Sequence, residues 1–144
     1  MPAVVRVARF ADIPAMHRVR LAVRENQLTT TVIAEEHYAR AIEQTGRGWV
    51  VVQDEQVLGF SVGNNITGNI WALFVDPEYE GQGVGQMLQK AMLNWLFGQG
   101  LRRVWLGTGQ NTRAQRFYES SGWSLIGVST NGEALYEMLA PSAA

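Results

Sequence analysis

The chain has no cysteine among its 144 residues. That excludes a disulfide framework, a thiolate nucleophile and any zinc site built on sulfur. Lysine is almost missing as well: Lys90 is the only one, and every other basic residue is an arginine. Lys+Arg total 12 against Asp+Glu 13, for a net charge of −1, with no long run of one sign. A general nucleic-acid binder needs a basic stripe to displace counterions from phosphates. The chain lacks one, so no nucleic-acid partner is expected. His17 and His37 are too few to suggest a metal centre, and no metal is expected either. Nowhere is there a run of ~18 apolar residues, and residues 1–9 hold no apolar segment of signal-peptide length. The expectation is a cytoplasmic protein with no membrane partner. Charged residues make up 17%, under the ~25% average, while hydrophobic residues make up 47%. Such a chain builds a core; it is not a disordered, solvating segment.

The length is that of one ordinary domain, so residues 1–140 are expected to form one unit, with 141–144 as a frayed tail. Residues 4–9 alternate apolar and polar, the period of a half-buried strand. Asp12 offers an N-cap and Pro14 is tolerated in a first turn, which predicts a helix to about residue 25. The polar stretch 26–31 reads as a loop. Ile33, His37, Tyr38, Ala41 and Ile42 recur at helical spacing, ahead of glycines at 46 and 48. Strands are predicted over 49–53, 57–63 and 69–75, the first two joined by a tight turn at Asp54-Glu55. Val84, Met87, Leu88, Ala91, Met92, Trp95 and Leu96 then form an unbroken i, i+3, i+4 stripe that ends at Gly98 and Gly100. A short strand over 104–107, a short helix over 111–121 and a hairpin around Asn131-Gly132 complete the pattern. Strands massed mid-chain with helices on both sides predict an α/β (α+β) architecture: a single mixed, mostly antiparallel central sheet flanked by helices.

Two segments carry chemistry. Residues 70–86 run from an apolar strand through Asp76-Pro77 into a turn with glycines at 81, 83 and 85, then straight into the striped helix. Unpaired N–H groups and the dipole at a helix start favour an anion, and glycines let main chain approach it closely. A P-loop is excluded because Gln86, not Lys, follows Gly85. The dinucleotide fingerprint is excluded by its G-x-G-x-x-G spacing at a first βα turn. Residues 111–123 hold Asn111, Ala114, Phe117-Tyr118 and Gly122-Trp123 at fixed offsets.

Together these segments resemble the GNAT superfamily, the acetyl-coenzyme A-dependent N-acetyltransferases. That family's pyrophosphate loop reads Arg/Gln-x-x-Gly-x-Gly/Ala after a strand ending Val-x-Pro, and Val75, Pro77, Gly83 and Gly85 match it. The later family pattern, Asn-x-x-Ala-x-x-Phe-Tyr-x-x-x-Gly-Phe, is matched from Asn111 to Gly122, with Trp123 for the usual Phe. One departure stands out: Glu80 occupies the position usually held by Arg or Gln.

The resemblance implies a GNAT-like acyl-coenzyme A N-acyltransferase fold and acetyl-coenzyme A as co-substrate. It implies that main chain of Leu73, Phe74 and Val75 lines the coenzyme arm, and that the Leu73 N–H serves as a one-donor oxyanion hole. Gly81, Gln82, Gly83, Val84, Gly85 and Gln86 would hold the pyrophosphate. Asn111 would contact the coenzyme arm or cap its own helix, and these two readings stay open. Tyr118 would be the acid for the departing thiolate and line the coenzyme site; packing beside Phe117 is its structural alternative. Without a cysteine, transfer would go by direct attack in a ternary complex. The expected acceptor is a primary amine on a small metabolite. A protein N-terminus or lysine is the alternative within the class, and a non-catalytic acyl-coenzyme A-binding module the alternative outside it. No general base is legible: Asn69 stands where some relatives have Glu, while Glu25, Glu35, Glu36 and His37 read as surface residues. Arg20 and Arg24, one turn apart, could grip an acceptor carboxylate. Trp71 and Trp123 could wall the acceptor cleft. Whether the chain is a monomer or a homodimer is left open.

Overall fold

The computed structural model describes residues 2–23 and 35–142. Its first sheet is β1 (Val4–Val7), β2 (Gly46–Gln53), β3 (Gln56–Asn64) and β4 (Ile70–Val75), antiparallel in that order. The second is β5 (Arg103–Thr108), β6 (Ser124–Val128) and β7 (Ala134–Leu139), antiparallel in the order β5-β7-β6. One parallel bridge, Asn69 to Trp105, joins the two into a mixed layer. The helices are α1 (Ile13–Ala22), α2 (Glu35–Glu43), α3 (Val84–Gly98) and α4 (Arg113–Ser120). Among the described residues no helix is long and apolar enough to cross a membrane.

β3 is central because nearly all of it is apolar or small, and it is buried along its length. On one face, Phe60 and Val62 meet Ile13, Met16 and Val19 of α1 and Tyr38, Ala41 and Ile42 of α2. On the other, α3 lays its predicted stripe across the sheet. Leu88, Met92 and Leu96 are fully enclosed there, each contributing about 1.5–3 kcal/mol of burial. Glycine makes that contact close. A Cβ on Gly63 would stand 2.8 Å from Leu96 Cδ1, and one on Gly59 would stand 3.1 Å from Leu88 Cδ1.

Several boundaries differ from expectation for identifiable reasons. Asp12 is not a side-chain cap of α1. Its carboxylate is taken by the Arg6 guanidinium at 2.8 and 2.9 Å and by the Arg9 N–H at 2.7 Å, which closes a 3-10 turn over Phe10–Asp12. That pair holds the Asp12 carboxyl below the usual range: the Arg6 hydrogen bond outweighs the opposing effect of burial. α1 ends at Ala22, with Val23 extended, short of the predicted end. The predicted loop 26–31, Arg24, Glu25, Ile33 and the last two residues of the expected frayed tail lie outside the described residues. The final helix begins at Arg113 and not at 111, because Asn111 sits at φ 59 and Thr112 caps the helix by accepting from the Gln115 N–H at 3.1 Å.

Candidate active site

The chain meets β5 just before β4 begins, at the Asn69–Trp105 bridge, and the two strands then separate. The Trp105 N–H donates to Gly68 O at 3.0 Å and the Trp105 indole N–H to Thr67 O at 3.3 Å, which pins the bottom of the gap. Above the Asn69–Trp105 bridge no ladder joins the strands, and a cleft of about 800 Å³ opens between them. Leu73, Phe74 and Val75 line one wall and Gly107, Thr108 and Gly109 the other.

The glycine-rich turn roofs the cleft. It begins with a fixed corner: Asp76 accepts from the Glu78 N–H at 3.0 Å, its own N–H donates to Leu58 O at 2.8 Å, and Arg18 pairs with it at 3.4 Å. Gly81 and Gly83 follow at φ +75 and +85, where a side chain is strained. A Cβ at either would meet nothing within 4 Å, so both line open space in the cleft. Gly85 differs from them. Its backbone is ordinary, and a Cβ there would stand 3.1 Å from Phe117, so this glycine makes room for a ring as well as lining the cleft. Val84 and Gln86 also line it, and Gln86 donates to Ser121 Oγ at 2.9 Å, tying the start of α3 to the end of α4. Gln82 is exposed and is not among the lining residues. Asn111 is exposed too, off the cleft wall, with its N–H given to Gln115 Oε1 at 2.7 Å. The capping role falls to Thr112 instead.

Tyr118 lines the cleft with its ring otherwise enclosed by Phe117, Trp123 and Tyr136, at centroid distances of 5.4, 5.7 and 6.5 Å. Burial pushes its phenol well above the ordinary tyrosine value, so it stays protonated throughout the neutral range. Tyr136 braces α4 from behind, accepting from Gln115 at 3.0 Å and donating to Glu119 at 2.9 Å.

Other predicted residues divide. Trp71 lines the cleft, whereas Trp123 is buried in the core and gives its indole N–H to Gln89 at 3.0 Å. Glu35, Glu36 and His37 are exposed on α2, away from the cleft wall. Arg20 is a buried cation on that wall, with its guanidinium 4.7 Å from the Trp71 ring centre and 4.9 Å from that of Phe74. Two features were missed. Glu80 reaches across the cleft mouth to Arg113 on α4 at 3.4 Å, and Glu133 enters the wall beside Gly107. Both arise from residues 26 or more positions apart, which no local pattern encodes.

The sequence profile of the Acetyltransferase (GNAT) family matches residues 13–123. A segment of 82 residues is 29% identical to a [Ribosomal protein bS18]-alanine N-acetyltransferase of Haemophilus ducreyi, covering 55% of this chain and 57% of that one. Another, of 63 residues, is 41% identical to a mycothiol acetyltransferase of Beutenbergia cavernae, covering 43% of this chain and 21% of the relative. The chain thus spans little more than half of the first relative and about a fifth of the second. Among solved structures, the PaiA N-acetyltransferase of Thermoplasma acidophilum in complex with coenzyme A superposes with a TM-score of 0.82 at 14% identity, covering 97% of this chain and 100% of that one. The ribosomal-protein-S18-alanine N-acetyltransferase of Escherichia coli superposes at 0.79 with 18% identity, covering 99% and 97%. The fold is theirs, and the chain belongs to the GNAT acetyltransferase family.

Proposed function

We propose that this family member transfers acetyl from acetyl-coenzyme A to a primary amine of a small metabolite, with residues 1–140 acting as one acetyltransferase domain. The observation that carries the reading is the meeting, in one cleft, of a splayed strand pair, two open left-handed glycines and a buried phenol. The unladdered edge of β4 offers main-chain groups of Leu73 and Val75 to an extended pantetheine arm. Gly81, Gly83 and the first turn of α3 present N–H groups to the pyrophosphate, at the end of a helix where negative charge is favoured. The Leu73 N–H serves the thioester oxygen, a position where charge grows as the amine attacks. The Tyr118 hydroxyl gives its proton to the departing sulfur. Arg20, a buried cation stacked against Trp71 and Phe74, supports an acceptor that carries a carboxylate near its amine.

The test is a thiol-release assay with acetyl-coenzyme A over a panel of amines, led by amino acids and their decarboxylated counterparts. Acceptor-dependent release of free thiol is expected, strongest for carboxylate-bearing amines. Coenzyme binding without release on any amine would instead establish a non-catalytic acyl-coenzyme A-binding module. Release only with peptide N-termini or peptide lysines would move the acceptor class to proteins.

A further inference from the structure

Acetyl transfer from a thioester to an amine releases a proton, and an alkylamine at neutral pH arrives as the ammonium ion. That proton has to leave before nitrogen can attack, and near neutral pH solution supplies little of the free amine. Among the described residues two carboxylates line the cleft, Glu80 and Glu133. Glu80 stands at the phosphate end, directly before Gly81, and is engaged with Arg113. Glu133 stands elsewhere, on the turn from β6 to β7. That turn is locked: Ser129 N–H donates to Glu133 O at 2.8 Å, Glu133 N–H to Ser129 Oγ at 3.1 Å, and Gln110 Nε2 to Gly132 O at 2.8 Å.

The register of the splay fixes the level at which Glu133 enters. Asn69 lies beside Trp105 in a parallel bridge, so counting two residues on from it sets Trp71 against Gly107, and two more set Leu73 against Gly109, just past the end of β5. All four line the cleft. A Cβ on Gly107 would come within 3.1 Å of Glu133 Oε1 and 3.4 Å of its Cδ, so the missing side chain at 107 is what lets this carboxylate lie over β5. The carboxylate therefore enters the cleft at Gly107, on the level of Trp71 and two residues from that of Leu73. Its near partner is neutral: Asn131 Nδ2 donates to Oε1 at 3.5 Å. The other charged or titratable groups on the wall are Arg20 from α1, Tyr79 and Glu80 from the roof, and Arg113, Arg116 and Tyr118 from α4.

Resting on the acetyl-transfer reading above, we infer that Glu133 is the base of this site: its carboxylate binds the acceptor ammonium and removes its proton. The ammonium gives one proton to Glu133. The freed nitrogen pair forms the C–N bond at the thioester carbon while the C–S bond breaks, and Tyr118 protonates the sulfur. The second nitrogen proton restores the Tyr118 hydroxyl, and Glu133 returns its proton to water. One proton is released per acetyl group, as the stoichiometry requires. Gly107 does the work for β5 that a side chain on the strand would otherwise do, by leaving the space into which a carboxylate from the neighbouring turn reaches.

The experiment is single-turnover transfer to an accepted amine from pH 6 to 10, comparing wild type with Glu133→Gln, Glu133→Asp and Gly107→Ala, and coenzyme affinity measured by calorimetry for each. Near neutral pH Glu133→Gln should slow transfer by about 10²–10⁴. The deficit should shrink as pH approaches the amine's own pKa, because solution then supplies the free amine. Glu133→Asp should recover the wild-type pH profile at a reduced rate. Gly107→Ala, which crowds the carboxylate, should behave like Glu133→Gln. Coenzyme affinity should stay within twofold throughout. A wild-type rate and profile in Glu133→Gln would overturn the inference while leaving acetyl transfer intact, as would a deficit equal at every pH. A wild type that binds coenzyme but acetylates no amine would overturn the transfer reading itself, and this inference with it.

Discussion

Removing the Tyr118 hydroxyl is the most direct probe of the proposed chemistry. Tyr118→Phe keeps the ring that packs against Phe117, Trp123 and Tyr136, so the 5%-exposed side chain loses one oxygen and no apolar contact. Stability should change by less than about 1 kcal/mol, since among the described residues no neighbour is left with a broken hydrogen bond. The rate effect follows from the environment of the phenol. Burial raises its pKa far above that of a thiol, so the proton is held firmly and moves to sulfur only as thiolate charge builds. An acid so mismatched hydrogen-bonds the developing thiolate first and gives up its proton late, which puts the loss near 10², the low end for a positioned acid. That is about 2.7 kcal/mol of transition-state stabilisation. Coenzyme affinity should hardly move, because the interaction strengthens only as the bond breaks. The raised pKa also carries the loss of activity by phenol ionisation above the ordinary tyrosine range, so wild type and variant should have parallel pH profiles up to about pH 10. Single-turnover quench is the suitable assay, since product release can hide the chemical step. A wild-type single-turnover rate in Tyr118→Phe would refute the acid role, and a matching fall in rate, coenzyme affinity and melting temperature would show a packing residue.

Other consequences are equally open to measurement. Gly83→Val places a branched side chain at φ +85 in open cleft space, so coenzyme affinity should fall more than tenfold by calorimetry while the melting temperature drops only a few degrees. Unchanged affinity in a folded variant would remove the phosphate role from this turn. Glu80→Gln should tighten coenzyme binding several-fold at low salt and little at high salt, because it removes a carboxylate from the cleft mouth and leaves Arg113 facing it. Its effect on melting should be slight, as Arg113 is exposed and Glu80 only half-buried; an affinity indifferent to salt would show that the pair stands clear of the phosphates. Asp12, whose carboxyl is held low by Arg6, stabilises the fold above the ordinary carboxylate pKa and loses that contribution as pH falls through its depressed value. Asp12→Asn should therefore melt earlier than wild type at pH 7, and the gap should narrow as pH falls below the ordinary carboxylate range, by calorimetric scans; a gap that does not narrow in acid would assign the effect to packing.

Local pattern made most of the scaffold readable. The α3 stripe was complete in the sequence because one face of a helix records its own burial, and residues 84–98 follow it closely. The hairpin at Asn131-Gly132 and the glycine turn at 81–85 were readable because positive φ selects glycine at Gly81, Gly83 and Gly132. Caps were read less well. Asp12 and Asn111 are both preferred cap residues, yet Arg6 captures the first and Thr112 displaces the second. Each outcome depends on a neighbour a few residues away competing for the same N–H or carboxylate, and composition alone does not rank the competitors.

The charged groups of the site were hidden for a deeper reason. Glu80 departs from the family pattern, and by sequence alone it looks like a loss of favourable charge. In the fold it pairs with Arg113, so a cation stands on the facing helix where the loop carries none, and Arg116 one turn on lines the same wall. Glu133 repeats the logic at the other end of the cleft, filling the room that Gly107 leaves on β5. In both cases a position empty on one element is answered by a side chain from another, across the splay that the Asn69–Trp105 bridge sets. A motif records which residue stands at a place in the chain, whereas a cleft requires only that a charge stand at a place in space. Substitutions at 80 and 113, or at 107 and 133, should therefore act non-additively, with coupling on the order of 0.5–3 kcal/mol, whereas pairs drawn from opposite ends of the cleft should add.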